Sequence, residues 1–202
     1  MAAWEESAVL IAQEIQEWSE KVVEQGHPLF GGMPMCPFAR NAWSAGHVMV
    51  HVTQDIQTVV ELKATFPPTS DLIHVVAWTS WDEMSAKEFA DWIDDQNKNH
   101  FNIWIMGFHP ETEADERFPE YEGNGADDYA LLLVQSYRHL VAGSDMLRKT
   151  RYYENYTPDD LRILQARQEN FYAWDKKVDA KAFAAAEEQA LSARISGEEQ
   201  DH

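Results

Sequence analysis

One cysteine, Cys36, stands in 202 residues, so no internal disulfide can close. A reducing, cytoplasmic location is the expectation that follows. Basic residues are scarce: 16 Lys plus Arg face 35 Asp plus Glu, a formal charge of −19. A protein that tracks phosphates needs a basic footprint, so nucleic acid is excluded as a partner, and an anionic membrane surface is excluded for the same reason. Long apolar runs are missing too. The longest, Tyr129–Val134, has six residues, against about 20 for a membrane-spanning helix. The opening Met1-Ala2-Ala3-Trp4-Glu5-Glu6 has neither the basic nor the apolar region of a secretory signal. What is present suffices for a core: 45% of residues are hydrophobic and 12% aromatic, which excludes disorder over most of the length. The length fits one domain, 1–202.

Trp4, Ala8, Ile11, Ile15, Trp18 and Val22 recur at spacings of four and three, which predicts an amphipathic helix over residues 3–25, ended by Gly26 and Pro28. A Gly-rich loop leads to Cys36, and Pro37 is suited to the first turn of a short helix reaching Ser44. Val48, Val50 and Val52 alternate with His47, Met49 and His51, a strand pattern. Helical spacing from Ile56 stops at Pro67-Pro68, and Leu72–Trp78 reads as a buried strand. Ser80-x-x-Glu83 and Ser85-x-x-Glu88 are capping boxes before a helix carrying Phe89, Trp92 and Ile93. Ile103–Phe108 reads as a third strand, left at His109-Pro110. An acidic loop spans 111–128, and Leu133, Tyr137, Leu140 and Leu147 predict one helix from a cap at Asp127. Thr157-Pro158-Asp159-Asp160 opens a helix over Leu161–Trp174, and an Ala- and Glu-rich helix follows from Asp179 and frays after Gly197. The class is α/β: a core over about 29–150 built on a sheet of three or more strands, parallel or mixed, covered by helices, with further helices at both termini, the last within 157–195.

Four residues carry candidate chemistry. Cys36, at the start of a helix and one turn before Arg40, has the free N–H groups and positive charge that stabilise a thiolate; its pKa is expected below the roughly 8.5 of a free thiol. It reads either as a nucleophile or metal ligand, or as a small buried residue beside the loop. Without a second cysteine, dithiol chemistry is excluded. Arg40 would contact an anion. His109, at the C-terminal end of a strand where α/β sheets gather ligands, reads as a base or ligand, or as a strand cap. His51 and Asp55 would share that edge, which makes His51, with His109 and Cys36, a candidate metal ligand. His47 and His51 are no joint metal site, because on a strand they stand roughly 13 Å apart. His74, inside an apolar strand, reads as a hydrogen-bonded core residue. The chain has no phosphate-cradling loop, calcium loop, nucleophile elbow or zinc motif.

Met35-Cys36-Pro37-Phe38-Ala39-Arg40 and the later Met106-Gly107-Phe108-His109-Pro110 resemble, in this order, an uncharacterised bacterial family, the domain-of-unknown-function family 1415. The resemblance covers residues 29–148 and implies similar strand and helix order and the two motif positions, without a reaction. The stretch preceding the family's Leu-rich helix differs here, where Ala126-Asp127-Asp128-Tyr129-Ala130 stands before Leu131.

Two functional classes follow. The first is a small-ligand or catalytic site built from Cys36, Arg40 and His109, with cofactor and reaction unspecified. The second is a non-catalytic acidic interaction protein that docks a partner, or a second copy of itself, through its terminal helices.

Overall fold

The structure, a computed structural model, describes residues 3–67, 70–98, 102–113, 116–117 and 128–198, with backbone only for 3–5 and 179–198. Its chain divides into two compact units, Met1–Leu161 and Arg162–His202.

In the first unit, α1 (Ala3–Trp18) passes without interruption into a π-helical turn, Ser19–Val23. After a 3₁₀ turn at Pro28–Phe30 come α2 (Ala39–Ser44), β1 (Val48–Thr53), α3 (Gln57–Thr65), β2 (Ile73–Trp78), α4 (Ala86–Asn97), β3 (Ile103–Phe108), β4 (Ala130–Ser136) and α5 (Tyr137–Leu147). Among the described residues the four strands form one mixed sheet in the order β1-β2-β4-β3. β1 and β2 are parallel, with Val50 opposite Val75. β4 runs antiparallel to both its neighbours, with Leu132 opposite Val76 and Gly107. The α/β class is therefore realised with a mixed sheet.

The alternation of the strands sorts the core into two layers. On one face Val76, Trp78, Ile103, Ile105, Leu132 and Val134 pack with Val59 and Phe66 at α3 and with Phe89 and Ile93 of α4. On the other face Val48, Val50, Val52, Val75, Ala77 and Leu131 pack with Ile11, Ile15 and Trp18 of α1 and Trp43 of α2. The stripe expected at the N-terminus is thus the docking face of α1, and Ile15 is 2% exposed. α4 starts where its sequence signal placed it. Ser85 accepts the Glu88 N–H, and Glu88 returns the contact to the Ser85 backbone, completing a capping box. Ser80 makes no such cap; it precedes a 3₁₀ turn, Trp81–Glu83.

The helix anticipated from Asp127 to Leu147 is in fact strand β4 followed by α5; Asp127 itself, and 114–115 and 118–126 of the acidic loop, lie outside the described residues. β4 is buried on both faces between β2 and β3, so its side chains need no polar alternation, and a continuous apolar run of this kind has no period of its own.

Gly107 in β3 marks a close approach. A Cβ there would stand 2.1 Å from Ile93 Cδ1 and 2.7 Å from Phe89 Cε1, so only glycine lets α4 sit this near the strand.

The two helices expected near the C-terminus are one, α6 (Pro158–Glu198), 41 residues long. It opens as its sequence dictates: Thr157 Oγ1 accepts from the Asp160 N–H at 3.1 Å, and the Asp160 carboxylate accepts from the Thr157 N–H at 3.1 Å. The second unit, from Arg162, holds the rest of α6, with Gln168 and Phe171 4% and 2% exposed. No described helix is long and apolar enough to cross a membrane.

Candidate functional site

The π turn decides what gathers beside it. Ser19 and Glu24 are five residues apart, about 140° apart around an α-helix. An i→i+5 turn brings them to the same side, and the Glu24 N–H donates to the Ser19 carbonyl at 2.9 Å. The Ser19 hydroxyl then donates to Glu24 Oε1 at 3.2 Å and accepts the indole N–H of Trp43 at 2.9 Å. From α2, Arg40 Nε donates to Glu24 Oε2 at 3.0 Å. A carboxylate with 6% of its side-chain surface exposed is thereby held by a hydroxyl and a guanidinium, the partners a buried charge requires.

Glu24, Arg40 and Trp43 line an open cleft of about 460 Å³, whose remaining wall is Gln16, Glu20, Gln25 and Ser44. Gln16 Nε2 donates to Glu20 Oε1 at 3.3 Å along its rim. Two carboxylates against one guanidinium give the cleft a negative balance.

Cys36 lies next to this group. Its N–H donates to the Val23 carbonyl at 3.3 Å, and its carbonyl accepts from Ala39 at 3.1 Å. Burial pushes the thiol pKa up, against the N–H groups of Phe38 and Ala39, which favour the thiolate; the Glu24 charge adds to the rise. This corrects the expectation of an activated thiolate. The helix starts at Ala39, with Phe38 as its N-cap, leaving Cys36 outside its first turn, and Arg40 is turned to Glu24.

His109 serves the fold. It is 1% exposed; its Nε2–H reaches the carbonyls of Met84 at 3.0 Å and Trp81 at 3.3 Å, and Nδ1 accepts the Glu111 N–H at 3.2 Å. Both ring nitrogens are engaged by backbone groups. The ring packs against Trp81 and Phe89 with centroids 5.3 Å away in both cases, in the α4 layer. Cys36 instead bonds to Val23 at the end of the π turn and has Glu24 as its charged neighbour. The structure therefore brings Cys36 and Arg40 together around Glu24 and does not bring His109 to them.

His51 joins neither. Its Nε2 is 2.8 Å from Nδ1 of His74, so His74 has the hydrogen-bond partner its apolar strand required. Among the described residues no three His, Cys, Asp or Glu side chains converge to hold a metal ion, and the trio Cys36, His109 and His51 is dispersed.

Sequence reasoning passed over Ser19, Glu24 and Trp43. The first two share a face only in a π turn, which α-helical periodicity conceals. Both family-like motifs also have structural explanations: Gly107 admits α4, His109 ties β3 to the turn before α4, and the Phe38 ring would meet a Cβ on Gly143 at 3.0 Å. Comparison with protein-family models, curated proteins and solved structures finds no match to this chain.

Proposed function

We propose that this chain binds a small polar molecule carrying a cationic or hydrogen-bond-donating group in the cleft between the π turn and α2. The observation that carries this reading is Glu24, a buried carboxylate fixed by Ser19 and Arg40 in the cleft wall. Its cost in desolvation is offset by those partners, and π turns recur at functional sites. The cleft volume falls within the range of small-molecule sites. Glu20 supplies a second negative group, and Trp43 an aromatic face that cations favour. Arg40, expected to contact an anionic ligand, is here paired with Glu24 of the chain itself, and Cys36 stands beside the site as a protonated thiol. The likeness to the domain-of-unknown-function family 1415 would make this cleft a feature to seek beside the Cys-Pro-Phe-Ala segment of its members.

Amide and indole shift mapping with methylguanidinium, ethylamine, a polyol and acetate, each at millimolar concentration, tests the reading. Shifts at Gln16, Glu20, Gln25 and the Trp43 indole with the cationic probes, lost in Glu20→Gln, support it. Silence at those positions with all four probes overturns it.

A second reading, association through α1, is favoured by Val9 and Leu10, exposed by 54% and 58% on a helix whose other face is docked. Light scattering on the intact chain distinguishes a homo-oligomer, dispersed by Leu10→Glu, from a monomer.

A further inference from the structure

On the α3 side of the sheet two imidazoles meet. His74 in β2 is opposite Met49 of β1, and His51 is opposite Val76, so the histidines sit two positions out of register on one face. Their rings meet head to head, with centroids 5.1 Å apart and planes 27° from parallel. His51 Nε2 and His74 Nδ1 face each other at 2.8 Å. Phe66, 6% exposed, packs its ring edge-on to His74 at 5.5 Å. β1 is an edge strand, and both histidines are partly exposed, so the pair is open to small solutes.

We propose that His51 and His74 form a two-imidazole chelating site for a first-row transition-metal dication. Imidazole nitrogens bind such ions at about 2.0–2.1 Å. Two of them sharing an ion at a right angle stand roughly 2.9 Å apart, and at a tetrahedral angle roughly 3.4 Å. Because the two nitrogens point at each other across 2.8 Å, ligation takes a turn of each ring of roughly 35–45° off their common axis, through side-chain torsions. Binding requires the tautomers in which both facing nitrogens are bare, with the protons on His51 Nδ1 and His74 Nε2, so the bridging proton changes nitrogen within one ring and no net proton is released. Ligation takes the neutral form of both rings. With no third His, Cys, Asp or Glu converging on the pair among the described residues, water fills the remaining positions. An all-nitrogen pair of this kind prefers Cu²⁺, then Ni²⁺ and Zn²⁺, and disregards Mg²⁺ and Ca²⁺, which take oxygen ligands.

The test uses the intact chain and Cu²⁺ at substoichiometric amounts, read by paramagnetic broadening of assigned resonances. Broadening centred on His51, His74 and Phe66 is expected. Broadening spread over the acidic surface, or centred elsewhere, overturns the proposal, and this measurement needs no variant to fold. Zn²⁺ should shift the ring nitrogens His51 Nε2 and His74 Nδ1 together; unshifted nitrogens at saturating Zn²⁺ count equally against the site. In titrations, His51→Gln and His74→Gln should each weaken Cu²⁺ binding about tenfold or more, since even an outer partner of a metal ligand is worth 10–100-fold. His139→Gln, outside the pair, should leave it unchanged. Equal affinity in the wild type and a folded His51→Gln overturns the assignment.

Discussion

The guanidinium of Arg40, 70% exposed on α2, holds the Glu24 carboxylate, 6% exposed at the end of the π turn, at a distance of 3.0 Å. One partner is in water and the other is not, so the pair is asymmetric in what its loss would cost. Arg40→Ala leaves Glu24 buried with Ser19 as its remaining side-chain partner. A fully buried pair broken in this way loses about 3–5 kcal/mol; with the guanidinium solvated, about 1–2 kcal/mol is expected. Urea unfolding measures it, and Glu24→Gln in the Arg40→Ala background should recover part of the loss, because the uncompensated charge is then gone.

The Cys36 thiol should be unreactive at neutral pH. Burial raises its pKa above the ordinary cysteine value, so the thiolate is rarer than in a free thiol of about 8.5. Alkylation by iodoacetamide should be slower than that of glutathione throughout pH 7 to 9. The stability linked to this group is fully present below the pKa of the unfolded thiol and is lost as the pH rises through the higher folded value. A half-maximal alkylation rate below the free-thiol value would reverse this assignment.

His109→Ala should cost about 2–4 kcal/mol, through a lost buried ring and stranded polar groups at Met84 and Glu111. Hydrogen exchange gives the sharper reading. Protection should fall in the turn before α4 and at the exit of β3 before it falls in β1, since His109 is bonded to the first two places.

Gly107→Ala should destabilise by about 1–3 kcal/mol, the usual cost of overfilling a packed interior. Ile93 Cδ1 is the nearer obstacle and the flexible one, whereas the Phe89 ring is rigid. Ile93→Val in the same chain should therefore restore part of the stability, measured by thermal unfolding, and have the opposite, destabilising effect in the wild type.

Elements with one buried face were legible in the residues. The valines of β1 alternate because α1 covers them while His51 faces the other layer, and Ser85 with Glu88 marks the start of α4 through a local exchange of hydrogen bonds. β4 was not legible: like β2 it is enclosed on both faces and lacks alternation, but where β2 carries Val75 and Val76, β4 carries Leu131, Leu132 and Leu133, and leucine favours helices. For the candidate site, sequence reading reached Arg40 and Cys36 through their closeness to a helix start. It missed Glu24, whose position depends on one departure from α-helical pitch. His109 attracted a chemical reading because a strand end is where ligands gather; its ring is spent on backbone groups that no local pattern names.

β4 also sets a timetable. Trp78 pairs with Ala130 and Phe108 with Leu131, so the strand that joins β3 to the rest of the sheet is the last of the four to be synthesised. During vectorial synthesis β3 emerges with no described neighbour to zip onto, and the β1–β2 ribbon waits with β2 uncovered on one side. Only when about two-thirds of the chain has left the ribosome, through Ser136, can a single insertion close both gaps. A nascent chain stalled before Ala130 should leave open two strand edges that the complete sheet closes, one on β2 and one on β3, the condition under which chains pair with one another.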